Sequence, residues 1–138
     1  IIPIYLNAAM KRTIIFCLAI ILFAACNKES AINFLTADLV VDAGARTMTL
    51  PTDLTITNIF VKSWTEKGMK SIGNALSNDG MTFSCDGDWF LATVNRTDAK
   101  HATLSLSAND TGYDRRLEIT VKHYCFVPAT IEIIQKAQ

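Results

Sequence analysis

The side chains able to do chemistry in this chain are few and scattered. His123, Tyr124 and Cys125 are consecutive. On a strand, His123 and Cys125 would share a face, which is the arrangement of a thiol beside an imidazole base. No third residue that would orient the base is evident, and a half-exposed strand histidine accounts for His123 equally well. His101 is the other histidine. Two distant histidines and dispersed cysteines do not supply the four-ligand set of a structural zinc. Asp86-Gly87-Asp88 lacks the further oxygen ligands of a calcium loop. The sequence therefore predicts no enzyme, no metal and no cofactor.

Binding without reaction needs less. A sugar ring stacks on an exposed aromatic face while nearby Asp, Asn or Arg groups meet its hydroxyls. The aromatics offering this are Trp64, Trp89, Tyr113 and Tyr124, with Arg116 close in sequence to Tyr113. Trp64 stands beside a long connection, and Tyr113 lies in a turn flanked by Asp110 and Asp114. Trp89 opens a strand, where a sandwich more often uses tryptophan in its core. We take Trp64, Trp89, Tyr113 and Arg116 as the candidate ligand-binding residues; a solvated turn or a core ring is the structural alternative for each.

The elements that must position these residues are strands. Period-two alternation runs through most of the chain after residue 36. "ADLVV" and "RTMTL" flank a break at Asp42-Ala43-Gly44-Ala45, read as a strand pair or one split strand. Residues 54–64 read as one long strand, and residues 65–80 as a glycine- and asparagine-punctuated connection. "MTFSC" and "DWFLATV" join through Asp86-Gly87, a hairpin signal. "ATLSLSA", "RRLEITVKHY" and "ATIEIIQ" follow, separated by Asn109-Asp110-Thr111-Gly112 and by Pro128. Seven or eight short strands and no long helix predict an all-β, immunoglobulin-like antiparallel sandwich.

The amino-terminal part differs. Met10-Lys11-Arg12 precedes an apolar run at 13–23, which is 11 residues long. That is short of the roughly 20 residues that span a bilayer, but it suits a signal peptide. Pro3, Asn7 and the Lys-Arg pair argue against one membrane helix over 1–25. Phe23-Ala24-Ala25-Cys26 resembles the lipobox of bacterial lipoproteins, Leu-(Ala/Ser)-(Gly/Ala)-Cys, departing from it at Phe23. The resemblance implies cleavage before Cys26 and acylation of its sulfur. Each buried CH₂ then adds about 0.8 kcal/mol of anchoring. Residues 1–9 would be an upstream extension, 10–25 the signal peptide, 26–36 a lipidated tether and 37–138 the sandwich domain. The implied location is the bacterial envelope, anchored in the outer membrane, with the side it faces left open.

Two cysteines, Cys85 and Cys125, belong to the domain. A disulfide between them would close a loop of about 40 residues, contributing roughly 3–4 kcal/mol by loop entropy. Two separate buried thiols are the alternative, and spacing does not decide between them. The net charge is zero, and removing Lys11 and Arg12 leaves a mildly acidic domain, which gives no electrostatic case for nucleic acid. Asn95-Arg96-Thr97 and Asn109-Asp110-Thr111 match the glycosylation acceptor pattern, a coincidence in a bacterial lipoprotein.

"GDWFLATV", "ATLSLSANDTGYDRRLEITV" and "ATIEIIQ" resemble the BACON domain (Bacteroidetes-associated carbohydrate-binding, often N-terminal). The matching residues are Trp89, Asn109, Thr111, Gly112, Arg115 or Arg116, and Gln135. The likeness is clear over 83–135 and poor over 52–80. Physics gives these motifs structural roles: Gly112 for a positive-φ turn, Asn109 and Asp110 for the turn backbone, and Gln135 for backbone groups where the last strand ends. The resemblance implies a non-catalytic protein that binds a polysaccharide or glycoprotein. The alternative is a membrane-tethered spacer or protein-interaction module with an envelope protein as partner.

Overall fold

A computed structural model describes residues 30–65, 68–72, 75–76 and 80–138. The expected signal peptide, Cys17 and the lipobox with Cys26 lie outside these residues. Among the described residues there is no helix long and apolar enough to cross a membrane.

The chain is an immunoglobulin-like β-sandwich of two five-stranded sheets. Its strands are β1 (Leu39–Val41), β2 (Arg46–Pro51), β3 (Asn58–Thr65), β4 (Gly68–Ile72), β5 (Ala75–Leu76), β6 (Thr82–Asp86), β7 (Phe90–Asn95), β8 (Asp98–Leu106), β9 (Arg115–Lys122) and β10 (Ala129–Gln135). One sheet has the order β1-β10-β9-β3-β4, the other β2-β8-β7-β6-β5. All neighbours are antiparallel except β1 and β10, which run parallel. The split-strand reading of residues 39–50 holds: β1 belongs to one sheet and β2 to the other. The chain changes sheets at Asp42-Ala43-Gly44-Ala45, where Gly44 donates its N–H to the Asp42 carboxylate at 3.0 Å.

Alternation decides which side chains face inward. Along β9, Leu117, Ile119 and Val121 are buried, while Arg116, Glu118, Thr120 and Lys122 point outward. Ile59, Val61, Phe83, Ala92, Val94, Leu104, Ile131 and Ile133 join them in one core drawn from both sheets.

Four expectations are corrected. The described strands number ten rather than seven or eight, because β4 and β5 form inside what reads as a connection. The strand expected over 54–64 starts only at Asn58. Residues before it are turned by local hydrogen bonds, with Thr52 Oγ1 donating to the Leu54 carbonyl at 2.7 Å, a competition that threonine side chains commonly enter. Residues 31–36, expected in the tether, belong to the fold: Ala31 bridges Val127 and Phe34 bridges Thr52, and Ile32 is in the core. Finally, β9 ends at Lys122, so His123 and Cys125 do not share a strand face. Tyr124 has φ 48° and turns the chain between them.

Candidate functional site

The strands carry the candidate residues to three separate places. The first is the end of the sandwich where β9 begins and β10 finishes. Trp89 is only 7% exposed there, packs edge-on against Phe90 at 5.5 Å, and lies under the Arg115 guanidinium at 4.6 Å. Arg115 donates to the Ala108 carbonyl at 2.8 Å. Burial lowers the Arg115 pKa from its ordinary value, while Asp110 opposes that shift. Trp89 is thus a core ring.

Asn109, fully buried, organises the same end. Its amide donates to the carbonyls of Tyr113 at 2.6 Å, Lys136 at 3.1 Å and Gln135 at 3.3 Å. Its oxygen accepts from the Thr111 hydroxyl at 2.6 Å and the Thr111 N–H at 3.2 Å. Gln135 reaches across to the Ser107 carbonyl at 2.9 Å and the Gly44 carbonyl at 3.3 Å. Gly112 takes φ 79°, as its turn requires. Asn109, Gln135 and Arg115 thus form a buried polar clasp at this end, with Thr111 and Gly112 in the exposed turn beside it. Tyr113 is 55% exposed at its rim, with its carbonyl tied to Asn109 and its ring turned to solvent.

The second place is the outer face of the β1-β10-β9-β3-β4 sheet. Trp64 and Arg116 are cross-strand partners, and the guanidinium lies over the indole at 4.0 Å. Arg116 also approaches Glu132 at 3.7 Å. Four residues earlier on β3, Phe60 has the Lys122 ammonium 5.0 Å from its ring centre. The structure thus brings Trp64 and Arg116 together and leaves Trp89 and Tyr113 elsewhere. Each aromatic on this face already carries a cation, so neither offers that face for stacking.

The third place is the opposite end of the sandwich, roughly 25 Å from the clasp along the eight residues of β9. Tyr124 is 72% exposed and sits in the left-handed region, uncommon for a bulky residue and found where surrounding contacts enforce it. Those contacts are visible. Its N–H donates to the Thr57 hydroxyl at 2.8 Å, which donates in turn to the Lys122 carbonyl at 3.1 Å. His123 Nδ1 donates to the Thr55 carbonyl at 2.7 Å, which fixes its tautomer, and its ring meets Tyr124 and Phe126 edge-on at 4.8 and 4.9 Å. Tyr124 lines a cavity of about 380 Å³ with Thr55, Thr57, Phe83, Arg96 and Ala99, over Ile56. Arg96 comes from the β7–β8 turn, where Asn95 Oδ1 accepts from the Thr97 N–H at 3.0 Å and the Thr97 hydroxyl at 2.8 Å. Both acceptor-like Asn-x-Thr triplets are therefore turn-forming motifs. Tyr124 is legible in the sequence as an aromatic; Arg96 and the cavity are not.

The Cys85–Cys125 disulfide is not formed. Cys85 is a buried thiol outside any disulfide on β6, its pKa raised chiefly by burial. Cys125 is disulfide-bonded and lies in the exposed β9–β10 connection. A core position on one sheet and an exposed loop at the sandwich end do not meet.

No family model matches the chain, and no curated protein matches it. Solved structures do. A Bacteroides thetaiotaomicron protein determined by NMR shares 15% identity with a TM-score of 0.51, over 75% of this chain and 80% of that one. A Bacteroides ovatus GH5 xyloglucanase in complex with a XXXG heptasaccharide shares 13% identity with a TM-score of 0.49, over 78% of this chain and 19% of that one. An immunoglobulin domain complex of titin M10 with obscurin-like 1 shares 10% identity with a TM-score of 0.43, over 78% and 92%. At such identities the likeness to the B. thetaiotaomicron protein shows the fold alone.

Proposed function

We propose that this chain is a non-catalytic envelope lipoprotein, anchored through Cys26, whose BACON-like sandwich binds a glycan or glycoprotein at the Tyr124 end. One observation carries the choice of site. Tyr113 and Tyr124 are both exposed rings with no described cation over them, and Tyr124 is the one that lines a cavity with Thr55 and Arg96. That combination is what a sugar needs: an apolar face, flanked by a few convergent polar groups. Trp89, being buried, and Trp64, being covered by Arg116, are set aside as platforms.

A second reading has its own observation. Leu35 and Val40 are 66% and 64% exposed, and Val40 lies on an edge strand. These would serve a tethered spacer or protein-interaction module.

The test is a glycan array probed with the detergent-solubilised full chain. Saturable binding lost in Tyr124→Asn, and retained in Trp64→Ala, supports the first reading. Silence from a folded protein, together with partner capture lost in Val40→Lys, favours the second. For the anchor, Cys26→Ala should abolish both acyl labelling and membrane partitioning.

A further inference from the structure

We propose that the Tyr124 cavity selects a sugar unit bearing a negative charge, a uronate or a sulfate, with Arg96 as the residue that reads the charge. The inference rests on the glycan reading above and narrows it to a ligand class.

The argument begins with how Arg96 is held. Its backbone N–H donates to the Met81 carbonyl at 2.7 Å, and its guanidinium lies over the buried Phe83 ring at 4.9 Å. The group is exposed, and a guanidinium resting on a ring still has N–H donors to offer in the fork that suits a carboxylate or sulfate. No protein carboxylate takes that edge among the described residues. The acid nearest in sequence, Asp98 in the same hairpin, has its carboxylate 3.7 Å from His101 Nδ1. The remaining ion pairs there join Arg46 to Asp42, Arg116 to Glu132 and Lys136 to Asp114. Arg96 is thus a cation with a positioned side chain and no structural counter-ion, on one lip of a cavity.

The other lip supplies what a sugar ring needs. Tyr124 is held in a strained backbone conformation by Thr57 and His123, and the result is a phenol ring standing in solvent. A ring placed there without function would cost strain and exposed apolar area with nothing in return. A pyranose against that ring would lie beside a cavity whose lining includes Arg96. The exposed hydroxyl of Thr55 adds a donor and acceptor on the same wall. A cavity of about 380 Å³ accommodates one or two sugar units and not a folded partner.

The experiment titrates the detergent-solubilised full chain with polygalacturonate, dextran sulfate and unmodified dextran at constant ionic strength. Saturable binding of an acidic polymer is expected, with dextran much weaker. Arg96→Gln should weaken the acidic polymer about tenfold or more, the loss of a charge-assisted bond, and leave dextran unchanged. Tyr124→Asn, which tolerates the left-handed backbone, should weaken all three. Arg46→Gln, at the far end of the sandwich, controls for unspecific attraction and should change nothing. Which acidic polymer binds tells a uronate from a sulfate. The inference is overturned if dextran binds as well as the acidic polymers, if Arg96→Gln has no effect, or if Arg46→Gln weakens binding as much. Dextran binding lost in Tyr124→Asn would then keep the broader glycan reading alone. No binding of any polymer by a folded chain overturns the charge inference and leaves the array to judge the broader reading.

Discussion

The two ends of this sandwich use their polar residues in opposite ways. At the clasp end, Asn109, Gln135 and Arg115 are buried and spend their hydrogen bonds on carbonyls of the chain itself. At the Tyr124 end, Arg96 and Thr55 are exposed, and the Tyr124 ring faces water. A buried amide that pairs with several backbone groups fixes how loops cross from sheet to sheet. An exposed cation held by a ring beside a cavity stabilises little and is available to a ligand. Asn109, Gln135 and Arg115 therefore have structural work to do in the fold.

That contrast should break first at Asn109. Asn109→Ala removes the amide bonds to the Tyr113, Gln135 and Lys136 carbonyls and the acceptor of the Thr111 N–H, and should cost about 3 kcal/mol or more in sum, read from denaturant unfolding. Glycan binding at 25 °C should be unchanged as long as the fold persists. A cost below about 1 kcal/mol would show that the clasp is not structural.

Trp89→Ala should cost nearly as much, about 3 kcal/mol, since the ring is in the core and under Arg115. Tyr124→Gly sharpens the comparison from the other side. Relieving a left-handed backbone should stabilise the fold by about 0.5–1 kcal/mol while binding is lost. A site residue that improves stability when removed is the signature of a position held for function.

Smaller effects come from the carboxylates. Asp114 has its pKa lowered by the Ala137 N–H first and then by Lys136. Asp53, toward the other end, is lowered by the Asn33 side chain and backbone. A depressed pKa contributes stability above the ordinary carboxylate range, and that contribution is lost as pH falls through the folded-state value. Stability should therefore drop on acidification below about pH 4, and Asp114→Asn or Asp53→Asn should each flatten that drop. Cys85 should resist alkylation in the folded chain, since its thiol is buried and its pKa raised, and react once denatured without reductant.

Much of the frame is legible in the sequence because alternation is a direct consequence of the pleat. Leu117, Ile119 and Val121 announce their face before any coordinates exist, as do Leu104 and Leu106. The structural roles of Asn109, Gly112 and Gln135 are legible too, because turn chemistry is local. The start of β3 is not. Threonines at 52, 55 and 57 read as strand formers, yet two of them spend their hydroxyls on carbonyls. Nothing in the neighbourhood of Tyr124 signals positive φ, since no glycine or asparagine stands there. The cavity draws on residues 55–57, 83, 96, 99 and 124, so only the completed fold assembles it. Trp64 and Arg116 lie 52 positions apart in chain order, and the cation that covers the indole follows from register alone.

The most direct test of the account is an amide chemical-shift map of the detergent-solubilised full chain titrated with the best-binding glycan from the array. The account predicts saturable shifts at Thr55, Thr57, Arg96, Ala99 and Tyr124, with Asn109, Thr111 and Gln135 unmoved. Shifts centred on Trp64 and Arg116, or on Tyr113 beside the clasp, would contradict it.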